Sequence, residues 1–109
     1  MSKPVKLIAL LKRKPGLTQA QFRERWVQQH APFTLKLKRL KGYRMNVCIE
    51  EFQQLEGELP FDGTAELWWD SLEDMKADFA SPEGILGGRD ADSFTVARVH
   101  LVTEEFVLR

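Results

Sequence analysis

Val5 to Leu11 is a nearly continuous apolar run that ends at the charged triplet Lys12, Arg13 and Lys14. Pro15 and Gly16 follow at once, so the run reads as a buried strand closed by a turn. Thr18 and Gln21 stand at capping-box spacing, where each side chain satisfies a free backbone N–H at a helix start. Phe22, Trp26 and His30 recur at steps of four and share one face of that helix. Pro32 disfavours helical geometry at Ala31, which predicts a helix ending near Gln29 or His30. Leu35, Leu37 and Leu40 predict a second helical piece, running into the basic cluster Lys36, Lys38, Arg39 and Lys41.

From Gly42 the period changes to two. Tyr43, Met45, Val47 and Ile49 alternate with Arg44, Asn46, Cys48 and Glu50, the mark of a strand with two unlike faces. A polar stretch with Gly57, Pro60, Asp62 and Gly63 predicts a loop. Thr64 to Asp70 predicts a third strand, with Leu67 and Trp69 on one face and Glu66 and Trp68 on the other. Ser71 takes the N-cap of another helix, which turns Met75 and Phe79 to one side. Ser81, Pro82, Gly84, Gly87 and Gly88 predict its end and a long connection. Phe94 to Phe106 holds the fourth strand, carrying Val96, Val99, Leu101 and Val102.

This order within 109 residues predicts one domain spanning residues 1–109. Its class is α+β: a ferredoxin-like βαββαβ sandwich with a four-stranded antiparallel sheet and two helices on one face. The other sheet face carries Arg44, Asn46, Cys48, Glu50, Glu66, Trp68 and Asp70 among apolar positions. It is neither a clean solvent face nor a clean core, and it suits closure against a second copy. A domain this small hides only about 60–70% of the surface its unfolded chain exposes. A homodimer through the sheet face is therefore expected.

Lys plus Arg and Asp plus Glu both number 16, giving a formal charge of zero. That balance excludes nucleic acid and an anionic membrane as the main partner. Glu50, Glu51, Glu56 and Glu58 are expected to answer the basic cluster as a solvated face. The acids of the third strand also exclude an RNA-recognition module, which shares the βαββαβ order. Cys48 is the single cysteine, which predicts a packed thiol, no internal disulfide and a reducing compartment. The apolar run after Lys3 and Lys6 is too short for a membrane span or a signal peptide, so a cytoplasmic location is expected.

The chain has no Gly-rich phosphate loop, no His-Glu-x-x-His helix and no Cys-x-x-Cys, so neither cofactor nor metal is expected. His30 is the leading candidate for chemistry, since an imidazole moves protons near neutral pH. The competing reading is a helix C-terminal histidine that complements the dipole. Trp26, Tyr43 and Trp68 are candidates for an aromatic substrate pocket, while Trp69 reads as core. Glu66 and Asp90 are candidate proton partners of His30. Arg44, Arg98 and His100 are expected to balance charge inside the dimer.

The run Leu11-Lys12-Arg13-Lys14-Pro15-Gly16-Leu17-Thr18, followed by Phe22, Trp26 and His30-Ala31-Pro32, resembles the opening signature of the EthD family. Asp62-Gly63-Thr64-Ala65-Glu66-Leu67-Trp68, Ala80-Ser81-Pro82-Glu83, Asp90 with Phe94, and Thr103-Glu104-Glu105 resemble its later blocks. The resemblance runs from about Lys6 to Val107. It implies a dimeric α+β barrel, in which two sheets close on each other. EthD is associated with bacterial ether degradation, and relatives in the wider group include muconolactone isomerases, polyketide cyclases and cofactor-free monooxygenases of aromatic compounds. Some members carry the label oxidoreductase. The resemblance thus implies a cofactor-independent cyclase, isomerase, lyase or oxygenase acting on a small apolar carbonyl or aromatic compound. The alternative is a non-catalytic small-ligand-binding or accessory protein supporting a degradation enzyme.

Overall fold

The computed structural model describes residues 3–109. Four strands, β1 (Val5–Arg13), β2 (Gly42–Val47), β3 (Gly63–Trp69) and β4 (Thr95–Thr103), form one sheet in the order β2-β3-β1-β4. All three pairings are antiparallel. This is the ferredoxin-like α+β arrangement that the alternation of strand and helix predicts. Leu7, Ala9 and Leu11 of β1 join Ala65, Leu67 and Trp69 of β3 in the core beneath the helices. Tyr43, Met45 and Val47 of β2 pair in register with that β3 row and pack against the same core. The opposite row carries Lys6, Ile8, Leu10, Arg44, Asn46, Glu66, Trp68, Val99 and Leu101, and it has no helix over it.

The first helix departs from expectation. Helix α1 (Gln19–Glu24) starts on the Thr18–Gln21 capping box, with Gln21 N–H donating to the Thr18 hydroxyl at 3.1 Å. It then widens into a π-helical turn (Arg25–His30) and continues as α2 (Ala31–Thr34), straight through Pro32. The Ala31 N–H bonds the Trp26 carbonyl five residues back, and Ala31 keeps helical φ −50° and ψ −39°. Pro32 stands in the first turn of α2, just past the π turn, where a missing N–H is tolerated. The residues after Leu35 form turns and bends instead of the expected second helical piece, although Leu37 is still buried in the core.

Two further helices occupy stretches that read as loop. Strand β2 stops at Val47, and α3 (Glu50–Glu56) begins where the alternation predicted more strand. Helix α4 (Leu72–Ala80) is capped by Ser71 as expected, but α5 (Pro82–Asp92) replaces the long connection. Ser81 both ends α4 and caps α5, its hydroxyl accepting from the Gly84 N–H at 3.1 Å. Three glycines disguise α5, each lowering helix propensity by about 1 kcal/mol relative to alanine. Gly84 is required sterically: a Cβ there would lie 2.2 Å from the Asp78 carbonyl oxygen.

The basic cluster meets other acids than expected. Lys41 reaches Asp70 at 3.5 Å and Arg39 reaches Asp74 at 3.6 Å, both close in space to the end of the connection. Beneath them Asp78, only 1% exposed, accepts from the Trp69 indole N–H at 2.7 Å and from the Arg39 backbone N–H at 3.1 Å. One carboxylate thereby ties α4, β3 and the connection before β2. Asp78→Ala leaves the buried Trp69 indole and the part-buried Arg39 N–H unpaired and is expected to lower unfolding free energy by about 2–3 kcal/mol. Denaturant melts measure this, and a loss below about 1 kcal/mol would mean the donors find other partners.

Candidate functional site

A cavity of about 150 Å³ lies between the helices and the sheet. Its floor is Leu7, Ala9 and Leu11 of β1 with Ala65 and Leu67 of β3, so its walls are chiefly apolar. Trp26 and Tyr43 enter from the first helix and β2, and His30 contributes its ring. Gly87 and Gly88 of α5 line the roof. A Cβ at Gly88 would meet nothing within 4 Å and one at Gly87 only the Phe33 Cβ at 3.7 Å, so both positions could carry a side chain and their glycines leave space. The volume suits a single aromatic ring. Trp26 is anchored by Gly63, where a Cβ would lie 2.6 Å from the Trp26 ring.

His30 is 9% exposed, and its Nδ1 lies 2.8 Å from Asp90 Oδ2. Arg25 grips the same carboxylate with two bonds of 2.6 and 3.1 Å, and also donates to the Ser93 hydroxyl at 2.9 Å. The π turn explains how one helix delivers both side chains. Five residues of α-helix rotate by about 500°, leaving residues 25 and 30 about 140° apart. A π turn bonds each residue to the fifth along and returns both to nearly one face. A further helical turn, Ala31–Thr34, follows His30, so it does not stand at a helix C-terminus and the dipole reading does not hold.

Burial pushes the His30 imidazole below its ordinary value of 6.5, and the Asp90 bond opposes this without overcoming it. Burial also resists ionisation of Asp90, but the bonds from Arg25 and His30 together hold that carboxyl below the usual range. The pair is thus a neutral imidazole braced by a carboxylate, with Nδ1 engaged and Nε2 the remaining ring nitrogen. Burial raises the Tyr43 phenol above 10.0, against a smaller downward pull from the Thr34 hydroxyl, so the phenol keeps its proton.

Trp26, His30 and Tyr43 meet at the cavity, and Asp90 stands directly behind His30. Glu66 and Trp68 do not join them, which corrects their assignment to this pocket. The period of two turns both to the helix-free sheet face, where Glu66 pairs with Lys6 at 2.8 Å and accepts from Asn46 at 2.8 Å. Trp68 lies there under the Lys6 ammonium and the Arg44 guanidinium, 4.9 and 5.2 Å from its ring. Arg98 and His100 make the opposite correction: they lie opposite Leu11 and Ala9 and line the cavity. Thr34 and Arg25 were not singled out by sequence, and only the π turn brings Arg25 into the network. Among the described residues no group of three or more His, Cys, Asp or Glu is placed to hold a metal ion.

A depressed His30 value means the folded state favours neutral imidazole. This contribution to stability is full above about pH 6.5 and is lost as pH falls through the lower folded-state value. With only two histidines in the chain, NMR titration reads each directly. His30 is expected to titrate below 6.5, and Asp90→Asn to lower it further, because Asp90 favours the charged ring. A rise in the variant would contradict the pairing.

The EthD domain model matches residues 14–97. A crystal structure of an ethyl tert-butyl ether D (EthD) family protein from Bacillus halodurans is similar, with 30% identity, TM-score 0.77 and coverage of 94% of this chain and 99% of that one. A dimeric protein of unknown function and ferredoxin-like fold from Bacteroides fragilis has 16% identity, TM-score 0.70 and coverage of 94% and 96%. SnoaB, a cofactor-independent oxygenase from Streptomyces nogalater, has 11% identity, TM-score 0.68 and coverage of 98% of each chain. At such identities the last two show the fold alone. No curated protein sequence matches. No helix among the described residues is long and apolar enough to cross a membrane. A family match over most of its length, joined to the shared fold, places this chain in the EthD family.

Proposed function

We propose that the cavity is the active site of a cofactor-independent acid–base enzyme acting on a small apolar carbonyl or aromatic compound. The observation that carries this reading is the His30–Asp90 pair, a neutral imidazole braced by a carboxylate at an apolar cavity the size of one ring. Nε2 of His30 takes a proton from an acidic C–H or O–H of the ligand, and Asp90 steadies the imidazolium that forms. The protonated Tyr43 phenol donates a hydrogen bond to an oxygen of the same ligand. Apolar walls exclude water and favour the neutral, basic form of the ring. The oxygenase neighbour is compatible with such chemistry, because a base that makes a ligand anion needs no cofactor of its own.

The working unit in this reading is a homodimer. The helix-free sheet face exposes Val99 and Leu101 beside Ile8, Leu10 and Trp68, an apolar band flanked by the Lys6–Glu66–Asn46 network. A second copy laid on this face buries the band and leaves the polar groups paired. The dimeric relative from Bacteroides fragilis supports the same partner.

A panel of enolisable ketones, lactones and phenols tests the chemistry. His30→Asn is expected to lower turnover by about a hundredfold or more while keeping the fold. Equal turnover would remove His30 from the reaction, and saturable binding without turnover by the wild type would indicate a ligand-binding accessory protein instead. Light scattering coupled to size exclusion checks the assembly: a dimer mass is expected at micromolar concentration, and Leu101→Lys should shift it to monomer.

A further inference from the structure

The polar lining of the cavity is not evenly charged. Asp90 does not line it, and its carboxylate is taken up by Arg25 and His30. Glu83 is the one carboxylate among the described lining residues, and it sits at the N-terminal end of α5. There a hydrogen bond from its own backbone amide, aided by Lys38, the Ser81 hydroxyl and Lys36, holds its carboxyl below the usual range, so it is an anion at the mouth whose cationic neighbours lie outside the lining. The remaining ionisable lining groups besides the tyrosine are His30, His100 and Arg98. Partial desolvation of a ring that stays open to solvent, with a smaller push from Arg98, holds His100 below its ordinary value, so both imidazoles are neutral near pH 7. Arg98 is left as the fixed cation.

Arg98 is drawn partly out of water, its side chain 23% exposed, and it holds the exposed Asp92 at 2.8 Å and the Thr95 hydroxyl at 3.2 Å. A guanidinium has five N–H donors, so these two bonds leave others for a ligand. An anion that enters an apolar cavity loses its hydration and needs a fixed positive partner there. We propose that the cavity takes a single-ring ligand carrying one anionic oxygen group, a carboxylate or a phenolate, held by Arg98 with His100 as second donor. This rests on reading the cavity as a ligand site and adds the charge of its substrate. Arg98 then selects the ligand while His30 moves its proton, and the two residues come from different elements.

Benzoate and 4-nitrophenolate, with benzamide and nitrobenzene as neutral counterparts, are suitable probes. Binding is followed by NMR on the His30 and Trp26 side chains. The wild type is expected to hold the better anion about tenfold or more tightly than its neutral counterpart, the usual worth of a charge-assisted hydrogen bond. Which anion leads identifies the group. Arg98→Gln should bring that preference within about twofold without changing affinity for the neutral probes. Asp92→Asn, which frees Arg98 from an exposed partner, should tighten the anion by about two- to threefold. Equal affinity for charged and neutral probes, a preference that survives Arg98→Gln, or no binding of any probe would overturn the inference. His30→Asn is expected to keep the anion preference even with turnover lost, so failure of the base and failure of the anion site are read separately.

Discussion

The carboxylate of Asp90 is shared between Arg25 and His30, and the geometry of the site depends on that sharing. A carboxylate drawn partly out of water is best held by donors on more than one side. Arg25 and His30 supply them from one helix only because the rod widens into a π turn between them. That turn sets the rotation of His30 about the rod and, through Asp90, the register of the rod against α5. The cavity is the space left between these two helices and the sheet, so its shape follows from the same contact.

The same physics recurs at two other acids. Asp62 is 1% exposed and engages both the backbone N–H and the guanidinium of Arg13, fixing the end of β1 to the entry of β3. Its neighbour Gly63 must lack a side chain, because Trp26 packs directly on it. Asp78 joins β3 to α4 and to the connection that leads into β2. Buried acids thus do the joining where a domain of 109 residues has little apolar area to spare. Each is also directional, and a floor and roof held by directional bonds keep a small cavity open where apolar packing alone would close it.

Strand β4 links the two faces of the molecule. It lies at the sheet edge and turns Arg98 and His100 toward the cavity, while Val99 and Leu101 face the other way. An acidic ligand under the helices and a second subunit on the sheet would therefore both press on one strand. The division of labour on β3 is similar, with Leu67 beneath the cavity and Glu66 and Trp68 on the helix-free side. Period-two geometry makes such separation absolute, since neighbouring residues cannot share a face.

The sequence by itself determined the order of the strands along the chain, the two faces of β2 and β3, and the helix starts at Thr18 and Ser71. These are local matters, governed by alternation along a strand and by side chains that satisfy free N–H groups a few residues away. The His30 step pattern was legible for the same reason. Tertiary structure alone decided that the first helix passes Pro32, that Gly84, Gly87 and Gly88 belong to a helix, and that Asp90 rather than Glu66 stands behind His30. In each case a contact distant in sequence outweighed a local preference: the Asp90 clasp accompanies the π turn, and the close approach of α4 to α5 demands Gly84. Arg98 and His100 moved from the expected dimer face to the cavity because their row was set by pairing with β1, and the β4 sequence alone did not say which row faced the helices.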